Sequence, residues 1–373
     1  MLRKVDSHML LRSICVWFAC FSTGCRTATE PEDTGEVPKD SGLPLETGLP
    51  VQWDCDQRFW TSGEPLILNT ETETSQFCEQ YNAVEGDLRV ELGTDEDPIM
   101  TLGGLSCLCE VTGSIEIFYL GVASGTAGPP PPHISADLEL DNLRRVGGDF
   151  YVHHVPGITT VEGVYQLEEV GGDLVLESNQ AVGTVVFDSL TTVGGRFSMI
   201  GMGQLQALSS PRLVQAGALE IGTGDTWHSR FVYLGVRALE EVGGDFSVIG
   251  VPKLGELEAE SLRGVGGALR LGSTCDAELS LPLLASAGSL HLVGQCGLAS
   301  LNGLSSLTHL SGSEEPYLLD LSFNDGLDSQ ELSDFQAGFS LEEDQVLIQG
   351  VDVGGCDVWL QNRWGRTETD TCE

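Results

Sequence analysis

Three groups of side chains in this 373-residue chain have the type and spacing to do chemistry. The first is cysteine. Of 11 in all, Cys15, Cys20 and Cys25 lie near the N-terminus, and Cys55, Cys78, Cys107, Cys109, Cys275, Cys296, Cys356 and Cys372 remain. An even number in an exported chain predicts disulfides. Zinc is the competing reading of Cys107-x-Cys109, but that spacing is shorter than the usual zinc pair and no histidine follows at finger spacing. The second group joins polar and aromatic chemistry: Tyr151 with His153-His154, and the segment Asp225, Trp227, His228. The third is a column of carboxylates, Asp87, Asp149, Asp173 and Asp245, each one residue after a glycine. Such a column has the donor chemistry for calcium. Ser114, Arg196, Ala218 and Ala268 interrupt it at equivalent positions, so the reading is a solvated charged face.

None of these groups is accompanied by catalytic machinery. No Gly-x-Ser-x-Gly elbow, His-Glu-x-x-His helix, EF-hand loop or Gly-x₄-Gly-Lys-Ser/Thr phosphate loop occurs. The sequence therefore assigns no catalytic residue, no cofactor and no metal. Exposed aromatics on a rigid face serve binding, so Tyr151, His153, Trp227 and His228 are the expected partner contacts. Against 56 Asp and Glu stand 18 Lys and Arg, a formal charge of -38, and a field of that sign opposes nucleic acid as a partner.

The N-terminal segment reads as an address. Arg3, Lys4 and Arg12 precede an apolar run from Ile14 to Phe21, too short for the ~20 residues that span a bilayer. Either Met1 or Met9 serves as the start. The run ends at Ser22-Thr23-Gly24-Cys25, which resembles the lipobox of bacterial lipoproteins, with serine where leucine is usual. The resemblance implies a signal peptide over 1–25 and a lipidated Cys25, so the membrane is met by a lipid anchor alone. Residues 26–50 are rich in Pro, Gly, Ser, Thr and acidic side chains and read as a disordered tether.

The elements that position everything else are announced by a repeat. Leu167-Glu-Glu-Val-Gly-Gly-Asp-Leu-Val-Leu176 recurs with variations, and Gly86, Gly113, Gly148, Gly172, Gly195, Gly217, Gly244, Gly267 and Gly288 mark one register at spacings of 21 to 35 residues. Two and four positions after each glycine stand pairs such as Leu88/Val90, Phe150/Val152 and Leu290/Leu292, and all eighteen are apolar. The alternate positions are mainly polar. This predicts a short strand with one face inward, preceded by a glycine that supplies either a positive φ or room for a neighbouring backbone. One coil cannot cover its own apolar pair, so coils must stack into a rod.

The repeat resembles the receptor L domain, and toward the C-terminus it grades into leucine-rich repeats, where Leu319-x-Leu321-x-x-Asn324-x-x-Leu327 matches their strand and asparagine turn. The resemblance, over roughly residues 80 to 330, implies a mainly β, right-handed parallel β-solenoid. Its longest spacings, around Pro129–Pro132 and Gly222–His228, predict protruding loops. Cys275 and Cys296 each stand eight residues after a register glycine and are expected to bridge adjacent coils. Cys356 and Cys372 are expected to close the C-terminal end; the pairing of Cys55, Cys78, Cys107 and Cys109 stays open among three arrangements. Asp328 and Glu331 predict a short helix ended by Gly338. The expected divisions are thus an N-terminal cap (51–85), solenoid repeats (86–327) and a C-terminal cap (328–373).

Together these features predict a non-enzymatic lipoprotein, exported to the outer membrane or surface of a Gram-negative envelope, that presents its solenoid to a protein or glycan. The alternatives are a parallel β-helix hydrolase or lyase acting on polysaccharide, and a structural spacer.

Overall fold

A computed structural model describes residues 55–93, 97–119, 137–155, 157–222, 230–272, 279–295, 298–312, 317–324 and 326–349. The leader, the tether, Cys25, Trp227, His228, Cys275, Cys296, Cys356 and Cys372 lie outside them, as do the prolines of the longest spacing. The described chain is a parallel β-solenoid of about eleven turns. Every strand pairing among the described residues is parallel.

The inward half of the alternation is realised, although Val175, Ser198, Ser247, Ala268 and Ser289 at alternate positions are buried as well. All eighteen apolar residues after the register glycines are at most 5% exposed. They stack like on like: Phe150, Leu174, Phe197, Leu219, Phe246, Leu269 and Leu290 are successive register partners. Burial of each contributes roughly 1.5–3 kcal/mol, and only stacking removes both flanks from water.

The glycines turn out to serve close approach. Among the register glycines only Gly86 has a positive φ, +104°. Where a glycine precedes the register glycine it is tighter still in four coils of five: a Cβ on Gly147, Gly171, Gly194 or Gly266 would lie 2.0 to 2.1 Å from a backbone carbonyl oxygen of the previous coil. The doublet is a bulge in the ladder, and the coils at Gly217 and Gly288 lack one of its residues, so register shifts between Val193 and Arg196 and between Val265 and Ala268.

A second parallel sheet, which the sequence reading did not contain, forms another side of the coil from Thr160–Val161, Thr184–Val186, Ala207–Ser209, Tyr233–Gly235 and Glu256–Glu258. Each strand turns one central apolar residue inward: Val161, Val185, Leu208, Leu234 and Leu257. Strand ends are tied by buried asparagines. Asn324, fully buried, donates through Nδ2 to Leu292 O at 2.8 Å and accepts the Gln295 amide at 2.9 Å. Asn179 does the same for Val152 O and the Val155 amide, at 2.9 Å each.

The segment expected as an N-terminal cap enters the ladder itself: Phe59–Thr61 and Leu66–Leu68 pair with Ala83–Glu85 and Leu88–Val90. Helix α1 (Glu71–Gln80) follows, started by a capping box in which Thr70 Oγ1 accepts the Glu73 amide at 3.2 Å and Glu73 accepts the Thr70 amide at 3.3 Å. It sits against the 102–105 turn so closely that a Cβ on Gly104 would meet Thr74 Oγ1 at 2.9 Å. The four N-terminal cysteines, left open by sequence, pair as Cys55–Cys109 and Cys78–Cys107, so neither Cys107 nor Cys109 is a free thiolate for zinc.

At the other end, Asp328 accepts the Glu331 amide at 2.8 Å and starts helix α2 (Ser329–Gln336). Glu331, expected to reach back as the capping partner, instead accepts from the Leu301 amide at 2.6 Å and Ser300 Oγ at 2.9 Å, tying α2 to the preceding coil. Val346–Leu347 then pairs with Leu319–Asp320.

Candidate binding surface

The long sheet presents three outward columns, one, three and five residues after each register glycine. The first is solvent-facing as expected, with Asp87 and Asp149 exposed, and its side chains also bond to the coil that follows. Asp149 Oδ1 accepts the Asp173 amide at 2.8 Å, Asp173 Oδ1 the Arg196 amide at 2.7 Å, and Asp245 Oδ1 the Ala268 amide at 2.8 Å. Asp87 accepts the Ser114 amide at 2.8 Å, and Ser114 Oγ accepts the Asp149 amide at 3.0 Å. At the glycine bulge the backbone ladder leaves one amide over, and the side chain of the preceding coil satisfies it. For Asp245, burial acts to raise the pKa, but the Ala268 amide and the Arg270 guanidinium outweigh it and hold the carboxyl below its usual value. These carboxylates are occupied by the chain itself, and among the described residues no three His, Cys, Asp or Glu side chains gather to hold a metal.

The third and fifth positions bring the polar aromatic residues together. Tyr151 and His153 point outward from the Phe150–His153 strand, whose Phe150 and Val152 are buried. Their rings stack with centroids 4.4 Å apart, and His153 also stacks on Phe118 of the coil before, 5.2 Å away and 6° from parallel. Arg89, one coil further back, lies 4.5 Å over the Phe118 ring. Carboxylates frame the row: His153 Nε2 stands 3.2 Å from Glu116 Oε1, and the Tyr151 hydroxyl donates to Glu177. Burial, reinforced by Glu177, pushes the Tyr151 phenol above its ordinary range and keeps it a neutral donor. His154 turns away at φ +55°, with its Nδ1 3.1 Å from that of His153.

Of the expected partner contacts, then, Tyr151 and His153 share one patch, while Trp227 and His228 fall outside the described residues. Phe118, Glu116 and Glu177 belong to the patch and were not singled out from sequence. Their signal was available: they occupy the third and fifth positions after Gly113 and Gly172, the register of Tyr151 and His153 after Gly148. Phe118 is itself only 5% exposed, so what the patch offers is the rigidly held Tyr151 and His153 rings with fixed donors and acceptors at their rim, which is recognition chemistry.

Among curated proteins the chain is similar to the cell wall protein ecm33 of the fission yeast Schizosaccharomyces pombe, 33% identical over 104 residues. The match takes in 26% of this chain and 24% of that protein, so the chain spans about a quarter of the length of the curated relative it matches. No family model matches the chain, and no solved structure does.

Proposed function

We propose that the chain is a non-enzymatic surface protein, held to the cell envelope by a lipid on Cys25, whose solenoid displays an outward binding face to a protein or glycan partner. The observation that carries this reading is the Phe118–His153–Tyr151 stack, three rings fixed across neighbouring coils on the outward side of a scaffold whose interior is closed. The similarity to a cell wall protein supports placement outside the cell. The small residues ahead of Cys25 favour a bacterial lipoprotein anchor, and the Gram-negative envelope is part of the proposal. The fungal relative bears on surface placement alone. A polysaccharide hydrolase is disfavoured because the stacked aspartates that would form its acid cluster are engaged with backbone amides. No helix among the described residues is long and apolar enough to cross a membrane.

The test is capture of surface extracts by the soluble 51–373 fragment and by its Tyr151→Ala/His153→Ala double variant. Saturable capture that the double variant loses by tenfold or more is expected. Equal capture by both proteins would remove the patch from the reading, and turnover of acidic glycans by the purified fragment would make the protein an enzyme. The anchor has its own test, mass spectrometry of the mature N-terminus, where a free Arg26 start would show simple secretion.

A further inference from the structure

Near the C-terminal end of the same sheet the described residues line a groove of about 420 Å³, within the ~300–1,000 Å³ usual for ligand sites. Its origin is one missing side chain. Ile249, Gly272 and Val293 are register partners on three adjacent coils, and the glycine between two branched residues leaves a depression. No positive φ requires glycine there, and an added Cβ would make only ordinary contacts, with Ile249 Cγ2 at 3.4 Å, Ile249 Cγ1 at 3.7 Å and Val293 O at 3.8 Å.

Along one wall runs a polar row, Arg270, His291 and Asp320, again register partners, spaced by the ~4.8 Å of a parallel sheet. Arg270 is ion-paired with Asp245, His291 Nε2 lies 2.9 Å from Ser289 Oγ, and Asp320 accepts the Ser322 amide at 3.0 Å. The Ser322 side chain, buried beside the groove, has a hydroxyl with no hydrogen-bond partner.

Phe323 completes the site at a conformational cost. Its φ is +62°, in the column where His154, Ser178, Gly201, Gly250 and Gly294 of earlier coils stand at +55° to +71°, so the turn itself demands left-handed backbone and Phe323 is the bulkiest of the residues that supply it. A bulky residue in left-handed backbone is strained and is retained where surrounding structure or function holds it. Its half-buried ring lines the groove with Ile249, Val293 and Leu347.

We infer that this groove binds one neutral saccharide unit of a glycan chain. A sugar ring offers an apolar C–H face, which the aromatic and aliphatic wall accepts, and hydroxyls that both donate and accept, which the donor-to-acceptor order Arg270, His291, Asp320 matches. Charge selects against the anionic alternative: Asp245 neutralises Arg270, Asp320 adds a carboxylate, and the whole chain carries -38. The inference rests on the reading of the chain as a binding protein and names a ligand class and a site distinct from the Tyr151 patch.

The experiment is calorimetric titration of the full chain with laminarihexaose, cellohexaose and, as the anionic probe, oligogalacturonate. Saturable binding of a neutral hexaose is expected, weakened at least tenfold by Gly272→Val, which fills the depression, and by Asp320→Asn. Phe323→Gly is the decisive variant. It relieves the left-handed backbone, so it should melt within a few degrees of the parent and still lose binding. Absence of neutral-hexaose binding, equal binding by the Phe323→Gly or Gly272→Val proteins, or preference for oligogalacturonate would each overturn the site. Loss of binding in a Tyr151→Ala protein would move the glycan to the other patch. Failure here with partner capture at Tyr151 intact leaves the surface-binding reading standing, whereas cleavage of the hexaoses would end it.

Discussion

Single atoms decide whether neighbouring coils can touch. The Cβ added by Gly171→Ala would stand 2.1 Å from Gly147 O, backbone against backbone, whereas at Gly243, on the coil after the shortened bulge, it would stand 3.4 Å from Gly217 O. The first substitution is expected to cost about 1–3 kcal/mol and the second less than about 1 kcal/mol, which urea unfolding of the two variants would measure. A second residue-level prediction concerns Glu258, nearly buried on the other sheet. Its hydrogen bond from Arg237, against the opposing effect of burial, and a further bond from Tyr233 hold its carboxyl below the usual value. Burial first, then Glu258, pushes the Tyr233 phenol up to about 12. A depressed carboxyl contributes stability that is present above the unfolded-chain value of ~4.3 and lost as pH falls through the lower folded value. A raised phenol contributes stability present below ~10 and lost as pH rises toward 12. Glu258→Gln should therefore lower the melting temperature at neutral pH and flatten both flanks of its pH profile.

Whole elements show how far sequence reaches. Leu174-x-Leu176 and its equivalents were legible because alternation after a glycine is a local signal, and so was Asn324, whose spacing from Leu321 marks the turn. The second sheet was not, because strands such as Thr184–Val186 bury one residue each and produce no alternation long enough to read. The role of Asp149 was hidden for another reason: the amide it satisfies, that of Asp173, is 24 residues away in sequence. The N-terminal bridges were open because three pairings satisfy the same count, and only α1 places Cys78 with its α-carbon 5.6 Å from that of Cys107. Peptide mapping without reduction should recover Cys55 with Cys109 and Cys78 with Cys107. Replacing either pair by alanine should cost about 2–4 kcal/mol in thermal or denaturant unfolding, with the 54-residue separation of Cys55 and Cys109 giving the larger loss in the chain-entropy account. For Cys275 and Cys296, outside the described residues, the same mapping tests the expected bridge. The ladder that would align them is in register as far as Gly272 and Val293.

At the scale of the molecule, a formal charge of -38 over the whole chain means that folding gathers mutually repelling carboxylates. Sodium chloride screens that repulsion, with a Debye length falling from ~10 Å at 0.1 M to ~3 Å at 1 M, so the melting temperature at pH 7 should rise with salt. A fall would show that the ion pairs on the outward face, such as Arg196 with Asp173 and Glu220, outweigh the net charge. The stack also has an arrow. Each outward aspartate or serine that completes the bulge gives its oxygen to the coil after it, from Asp87 to Ser114 to Asp149 to Asp173 to Arg196. A polypeptide is made and exported from its N-terminal end, so every acceptor exists before the amide it will receive. The rod can thus be laid down in the order of synthesis, each finished turn serving as the template on which the next one closes.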